Sequence, residues 1–117
     1  MGATVLIVDD HEVFRASARA LLESAGFVVV AEAATGTEAL EAVAANRPEI
    51  VLLDIQLPDI DGLIVAERLA ASPLPPAVVL TSSREAASYG PRLLQSPAQG
   101  FISKSALSGE AITSLVG

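Results

Sequence analysis

The sequence predicts an α/β protein built on a doubly wound, five-stranded parallel sheet. Short β-prone aliphatic runs alternate five times with longer stretches of helical periodicity. The runs are continuously apolar rather than alternating, as strands covered on both faces must be. The 117 residues are 51% hydrophobic but only 3% aromatic, so one domain's core must be built from Val, Leu, Ile and Ala. Right-handed crossovers between successive parallel strands then bring every strand's carboxyl end to one rim of the sheet.

Ala3 to Val8 is the first strand, and Asp9 and Asp10 follow it. Glu12 to Ala25 carries Val13, Phe14, Ala18, Leu21 and Leu22 at helical spacing, with Gly26 as its stop. Phe27 to Ala31 is the second strand. Thr35 caps a second helix, with Glu38 three residues on as a capping-box partner and Pro48 closing the segment. Ile50 to Asp54 is the third strand. Gly62 to Ala71 is the third helix, turning Leu63, Val65, Ala66 and Leu69 inward, and residues 72–76 form a stiff, proline-rich linker. Ala77 to Leu80 is the fourth strand, running out into Thr81, Ser82 and Ser83. Arg84 to Gln95 is predicted as a fourth helix, kinked or cut short because Gly90-Pro91 falls inside it and proline removes a helical donor. Gly100 to Ser103 is the fifth strand, ending at Lys104, and Leu107 to Val116 is the last helix. Residues 1–117 are expected to form one domain, without internal repeat or linker. Met1 reads as a natural start; Gly117 leaves open whether an output domain follows.

Composition narrows the function. A formal net charge of −7 is a poor match for nucleic acid, whose phosphates demand a basic face. Cysteine is absent, which removes disulfides and thiolate metal sites and suits a reducing cytoplasm. No apolar stretch reaches membrane-spanning length and no basic region opens a signal peptide, so no membrane contact is expected.

The strand ends carry the chemistry. Asp9, Asp10, Asp54, Thr81, Ser82 and Lys104 all fall on the predicted rim. Each has an ordinary explanation by itself: Asp9 and Asp10 as a helix cap, Asp54 as a turn-former, Thr81 as a strand residue, Lys104 as a solvated lysine. Together they form a usable set. Clustered carboxylates need a cation, and hard oxygen ligands suit Mg²⁺. Asp can act as a nucleophile toward phosphorus. The charge on the transferred phosphoryl oxygens could be met by Mg²⁺, by Lys104 and by the Thr81 hydroxyl. His11 reads as a solvated helix-start residue with no His or Cys partner nearby in sequence.

Four motifs, Val8-Asp9-Asp10, Leu53-Asp54-Ile55-Gln56-Leu57-Pro58-Asp59-Ile60-Asp61-Gly62, Val79-Leu80-Thr81-Ser82 and Gly100-Phe101-Ile102-Ser103-Lys104, give the chain its resemblance to the receiver domain of bacterial two-component response regulators. The resemblance covers essentially the whole chain. Residues 32–40 are similar to the branch whose receivers often precede a helix-turn-helix DNA-binding domain. The resemblance implies a flavodoxin-like sheet of order 2-1-3-4-5. It implies Asp54 as phosphoacceptor from a sensor histidine kinase or phosphotransfer protein. It also implies Mg²⁺ held by Asp10, Asp54 and the Gln56 backbone carbonyl, with Asp9 acting through water. Thr81 and Lys104 would meet the phosphoryl group, and Phe101 would be the switch aromatic that moves with Thr81. Gln56 and Ser83 fall where the family tunes phosphoryl lifetime. Output would be a homodimer or a protein target bound through the fourth helix, fifth strand and fifth helix, without direct nucleic acid contact. The domain would catalyse only its own phosphorylation and dephosphorylation.

Two departures stand out. Ser105 replaces the proline common after the lysine, removing the residue that favours a cis peptide there. Gly90-Pro91 and Pro97 interrupt the output region and point to an altered output surface. Other readings use the same residues. A pseudo-receiver would bind partners without accepting phosphate, against the complete acidic set with Thr81 and Lys104. A small Mg²⁺-dependent aspartyl phosphohydrolase would want a second Asp where Gln56 stands. A nucleotide site would want a glycine loop where residues 8–12 carry two carboxylates.

Overall fold

A computed structural model describes residues 2–117; Met1 lies outside them. The chain order is β1 (Thr4–Val8), α1 (Glu12–Ser24), β2 (Val28–Ala33), α2 (Gly36–Asn46), β3 (Ile50–Asp54), α3 (Gly62–Ala70), β4 (Ala77–Ser82), α4 (Pro91–Leu94), β5 (Gly100–Ser103) and α5 (Gly109–Val116). Short 3₁₀ turns precede α4 at Ala86–Tyr89 and follow β5 at Lys104–Ala106. The five strands are parallel in the order β2-β1-β3-β4-β5, as the sequence reading expects.

Every residue of the central strand β3 is buried, which explains its unbroken apolar run. The core splits into two layers. One gathers Leu6, Val8, Val51, Leu53 and Leu80 with Leu63, Val65, Ala66 and Leu69 of α3. The other gathers Val5, Ile7, Leu52 and Val79 with Ala18 and Leu22 of α1 and Ile112 of α5. Alternate residues of β1 and β3 thus feed opposite layers, the period-two geometry of a strand.

Three boundaries shift by two residues from the sequence reading. β2 continues two residues beyond Ala31, because a register shift between Val5 and Leu6 lets Glu32 and Ala33 pair with Ile7 and Val8. Glu32 tolerates this edge strand because Arg15 and Arg19 pair with its carboxylate at 3.0 and 2.7 Å. β4 takes in Thr81 and Ser82, which pair with Ile102 and Ser103 of β5. α5 begins at Gly109 rather than Leu107, since the Ser108 side chain accepts the Ala111 N–H and fixes the start. The fourth helix is broken as expected: Gly90, at φ +60°, separates the 3₁₀ turn from a four-residue α4 that opens on Pro91. No peptide among the described residues is cis, Lys104–Ser105 included. No helix among them is long and apolar enough to cross a membrane.

Candidate functional site

The carboxyl ends of β1, β3, β4 and β5 converge, and Asp54 stands at the centre. As the last residue of β3 it pairs in register with Thr81 and is 2% exposed. Its Oδ1 accepts the Gln56 N–H at 3.0 Å, and its Oδ2 lies 3.4 Å from Lys104 Nζ. Burial pushes the Asp54 carboxyl up to about 6; the Gln56 N–H opposes this, the Asp9 charge adds to it, and Lys104 pulls it back.

Asp9 is fully buried. Its Oδ1 accepts the His11 N–H at 2.8 Å. Its Oδ2 has no aligned hydrogen-bond donor, although Lys104 Nζ stands 2.6 Å away as an ion-pair partner. Asp10 lies at the rim, with about a third of its side chain exposed. Burial works against the Lys104 charge, but the Asp9 and Asp54 carboxylates outweigh it and hold the ammonium above its ordinary value. Lys104 Nζ also sits 4.5 Å from the centre of the Phe14 ring, a cation–π contact that fixes its approach.

Thr81 Oγ1 is buried and has no hydrogen-bond partner among the described residues. A buried hydroxyl left unbonded costs about 1–3 kcal/mol, so its placement beside Asp54 calls for a functional reason. Ser82 is equally buried, but its Oγ is 2.5 Å from Tyr89 Oη and also accepts the Arg84 N–H at 3.0 Å. Phe101 is half-buried and stacks obliquely on Tyr89, with centroids 6.4 Å apart.

The loop between β3 and α3 is pinned at both ends. Gly62 N–H donates to the Ile55 carbonyl at 2.8 Å, and a Cβ at position 62 would strike the Asp54 carbonyl oxygen. Asp59 reaches across to the start of α2, accepting the Gly36 N–H at 2.8 Å, the Thr37 N–H at 3.0 Å and the Thr37 hydroxyl at 2.8 Å. Gln56 and Ser83 are exposed beside the site.

The structure therefore brings together Asp9, Asp10, Asp54, Thr81 and Lys104, with Phe101 on the adjoining strand. Two residues make contacts at the site that the sequence does not show. Phe14 packs against the core, as its spacing predicts, and its ring also meets Lys104. His11 is solvated at the start of α1, as its sequence reads, with its side chain 68% exposed, and its Nδ1 lies 3.1 Å from Asp9 Oδ1 and 3.2 Å from Asp10 Oδ1. The available signal was its position directly after two carboxylates at a strand end. One ligand atom from each of Asp9, Asp10, His11 and Asp54 falls within 4.8 Å of the others, a spacing that suits a metal ion. The buried Asp9 carboxylate, with one oxygen lacking an aligned donor, fits a hard divalent cation.

The chain is similar to known proteins. A family model described as the response regulator receiver domain matches residues 5–116. A transcriptional regulator of Pseudomonas aeruginosa is 44% identical over 100 residues, covering 86% of this chain and 48% of that protein. The virulence-factor transcription regulator BvgA of Bordetella pertussis is 39% identical over 100 residues, with the same coverage of 86% and 48%. The chain thus spans about half the length of the curated relatives it matches. Among solved structures, the signal receiver domain of the response regulator NarL from Mycobacterium tuberculosis superposes with a TM-score of 0.88 at 34% identity, covering 98% of this chain and 96% of that one.

Proposed function

The chain belongs to the response regulator receiver domain family, and from that premise we propose that Asp54 accepts a phosphoryl group from a sensor histidine kinase or phosphotransfer protein. As a receiver domain of two-component response regulators it is a signalling switch. In the transfer, an ionised Asp54 oxygen attacks phosphorus, the new O–P bond replaces the donor's N–P bond, and the donor imidazole leaves. Mg²⁺ held by Asp10, Asp54 and the Gln56 backbone carbonyl, with Asp9 behind them, would supply charge neutralisation for the phosphoryl oxygens. Lys104 pairs with another of those oxygens. The Thr81 hydroxyl, free of other partners, donates to a third, and Phe101 shifts with it. The domain thereby catalyses its own phosphorylation and dephosphorylation.

One observation carries this reading: the buried Asp54–Thr81 register pair beneath Lys104, with a hydroxyl that has no hydrogen-bond partner among the described residues. A charge of about −1.5 to −2 added there biases a two-state rim. The broken fourth helix supports an altered output surface, through which the domain binds a target or a second copy. Residues 1–117 read as one receiver domain in the cytoplasm. Control of transcription, which the relatives' names give for them, is part of the same reading.

Incubation with Mg²⁺ and a small-molecule phosphodonor, read by intact mass, tests it. The wild type should gain one phosphoryl group and Asp54→Asn none. A wild type that gains nothing from several donors would turn the reading to the pseudo-receiver.

A further inference from the structure

Among the described residues, His11 supplies the one imidazole at the acidic cluster, and the phosphoryl transfer above does not use it. It is the N-cap residue of α1, yet its side chain makes no capping hydrogen bond. Ser, Thr, Asp or Asn would serve that position better, so capping does not explain an imidazole there. Instead Nδ1 turns back toward two carboxylates, 3.1 Å from Asp9 Oδ1 and 3.2 Å from Asp10 Oδ1. Without a metal, Nδ1 carries the proton and donates to Asp9 Oδ1; a metal would take the Nδ1 lone pair once that proton moves to Nε2.

The spacing is that of neighbouring ligands. An octahedral ion with bonds of about 2.1 Å separates adjacent donors by about 3.0 Å. One further observation, independent of His11, points to a ligand at this rim: the Thr81 hydroxyl is buried and has no hydrogen-bond partner among the described residues.

We propose that His11 makes the acidic rim a mixed carboxylate–imidazole site, so that late first-row divalent cations bind through Nδ1 as well as the carboxylates, whereas Mg²⁺ uses oxygens alone. Imidazole suits Ni²⁺, Cu²⁺ and Zn²⁺, and carboxylate, carbonyl and water suit Mg²⁺. The two classes then compete for Asp9, Asp10 and Asp54, and a late metal occupies the switch that phosphoryl transfer needs. This inference rests on the proposed metal site and adds its selectivity.

Calorimetric titration of the untagged protein with MgCl₂ and with NiCl₂ tests it. His11→Asn keeps a good helix-starting residue and removes the imidazole; His11→Gln is the second variant. Both variants should weaken Ni²⁺ binding about tenfold or more. They should change Mg²⁺ binding less than about threefold, because no Mg²⁺ ligand is lost. Cu²⁺ on the wild type should show nitrogen coupling in its electron paramagnetic resonance spectrum, and His11→Asn should lose it. Equal weakening of both cations, undiminished Ni²⁺ binding, or coupling that survives in the variants would overturn the inference while leaving the phosphoacceptor reading standing. A wild type that binds neither cation would overturn both.

Discussion

Asp54 and Asp59 are the same residue type five positions apart, and the fold drives their carboxyls in opposite directions. Asp59 is exposed but accepts the Thr37 and Gly36 N–H groups, the Thr37 hydroxyl and the Ile60 N–H, which hold it well below the usual carboxylate range. Its stabilising effect is present above the unfolded value and fades as pH falls through the folded one. Asp54 is buried and pushed up from 3.8 to about 6. Between those values the folded state keeps a proton that the unfolded chain releases, so stability falls as pH rises and the full effect is felt above about 6. Asp54→Asn should therefore stabilise the metal-free protein by about 1–3 kcal/mol at neutral to mildly alkaline pH. The gain should vanish near the unfolded value of 3.8. Urea melts in EDTA across that range would measure it; a gain that does not change with pH would show that burial of the charge is not the cause. Lys104 keeps its Asp9 partner at 2.6 Å in that variant, so it is not stranded.

At the scale of elements, local signals were most legible where they stop or start a helix. Thr35 accepts the Glu38 N–H at 3.0 Å, and the Glu38 carboxylate returns to the Ala34 N–H at 2.9 Å, one residue upstream of the usual box partner. Thr35→Ala should cost about 1 kcal/mol, seen as a lower urea midpoint with an unchanged slope. Gly26, at φ +96°, closes α1 with Gly26 N–H to the Glu23 carbonyl at 3.1 Å and Phe27 N–H to the Leu22 carbonyl at 3.0 Å. The Gly90-Pro91 break was equally readable, but what holds the broken segment was not. Tyr89 Oη anchors it to Ser82, and Arg92 pairs with Asp61, the N-cap of α3, at 2.8 Å. Tyr89→Phe removes the first tether at a net cost of about 0.5–1.5 kcal/mol. Hydrogen exchange over residues 84–95 should speed up while β1 and β3 stay protected; uniform loss across the domain would mean that the tether supports the whole fold.

For the whole molecule, the proposed cation binding would be linked to folding, because the carboxylates after β1 and at the end of β3 meet only in the native sheet. A divalent cation at a hundredfold excess over its dissociation constant should add about 2.7 kcal/mol. It should raise the melting temperature of a single cooperative transition, EDTA should reverse the rise, and Asp10→Ala should abolish it; an unchanged shift in Asp10→Ala would remove Asp10 from the ligand set. The sequence by itself determined the alternation of strand and helix, the aliphatic core, the strand ends that carry Asp9, Asp10, Asp54, Thr81 and Lys104, and the break at Gly90-Pro91. Hydrophobic runs, caps and prolines act over a few residues, so a one-dimensional reading reaches them. Only the tertiary structure decided that β2 runs on to Ala33, that Phe14 underlies Lys104, that Asp59 clamps α2, and that His11 turns toward the carboxylates. Those depend on register and side-chain direction between segments distant in sequence, or on which way a ring turns at a strand–helix junction, and neither leaves a periodic trace in the chain.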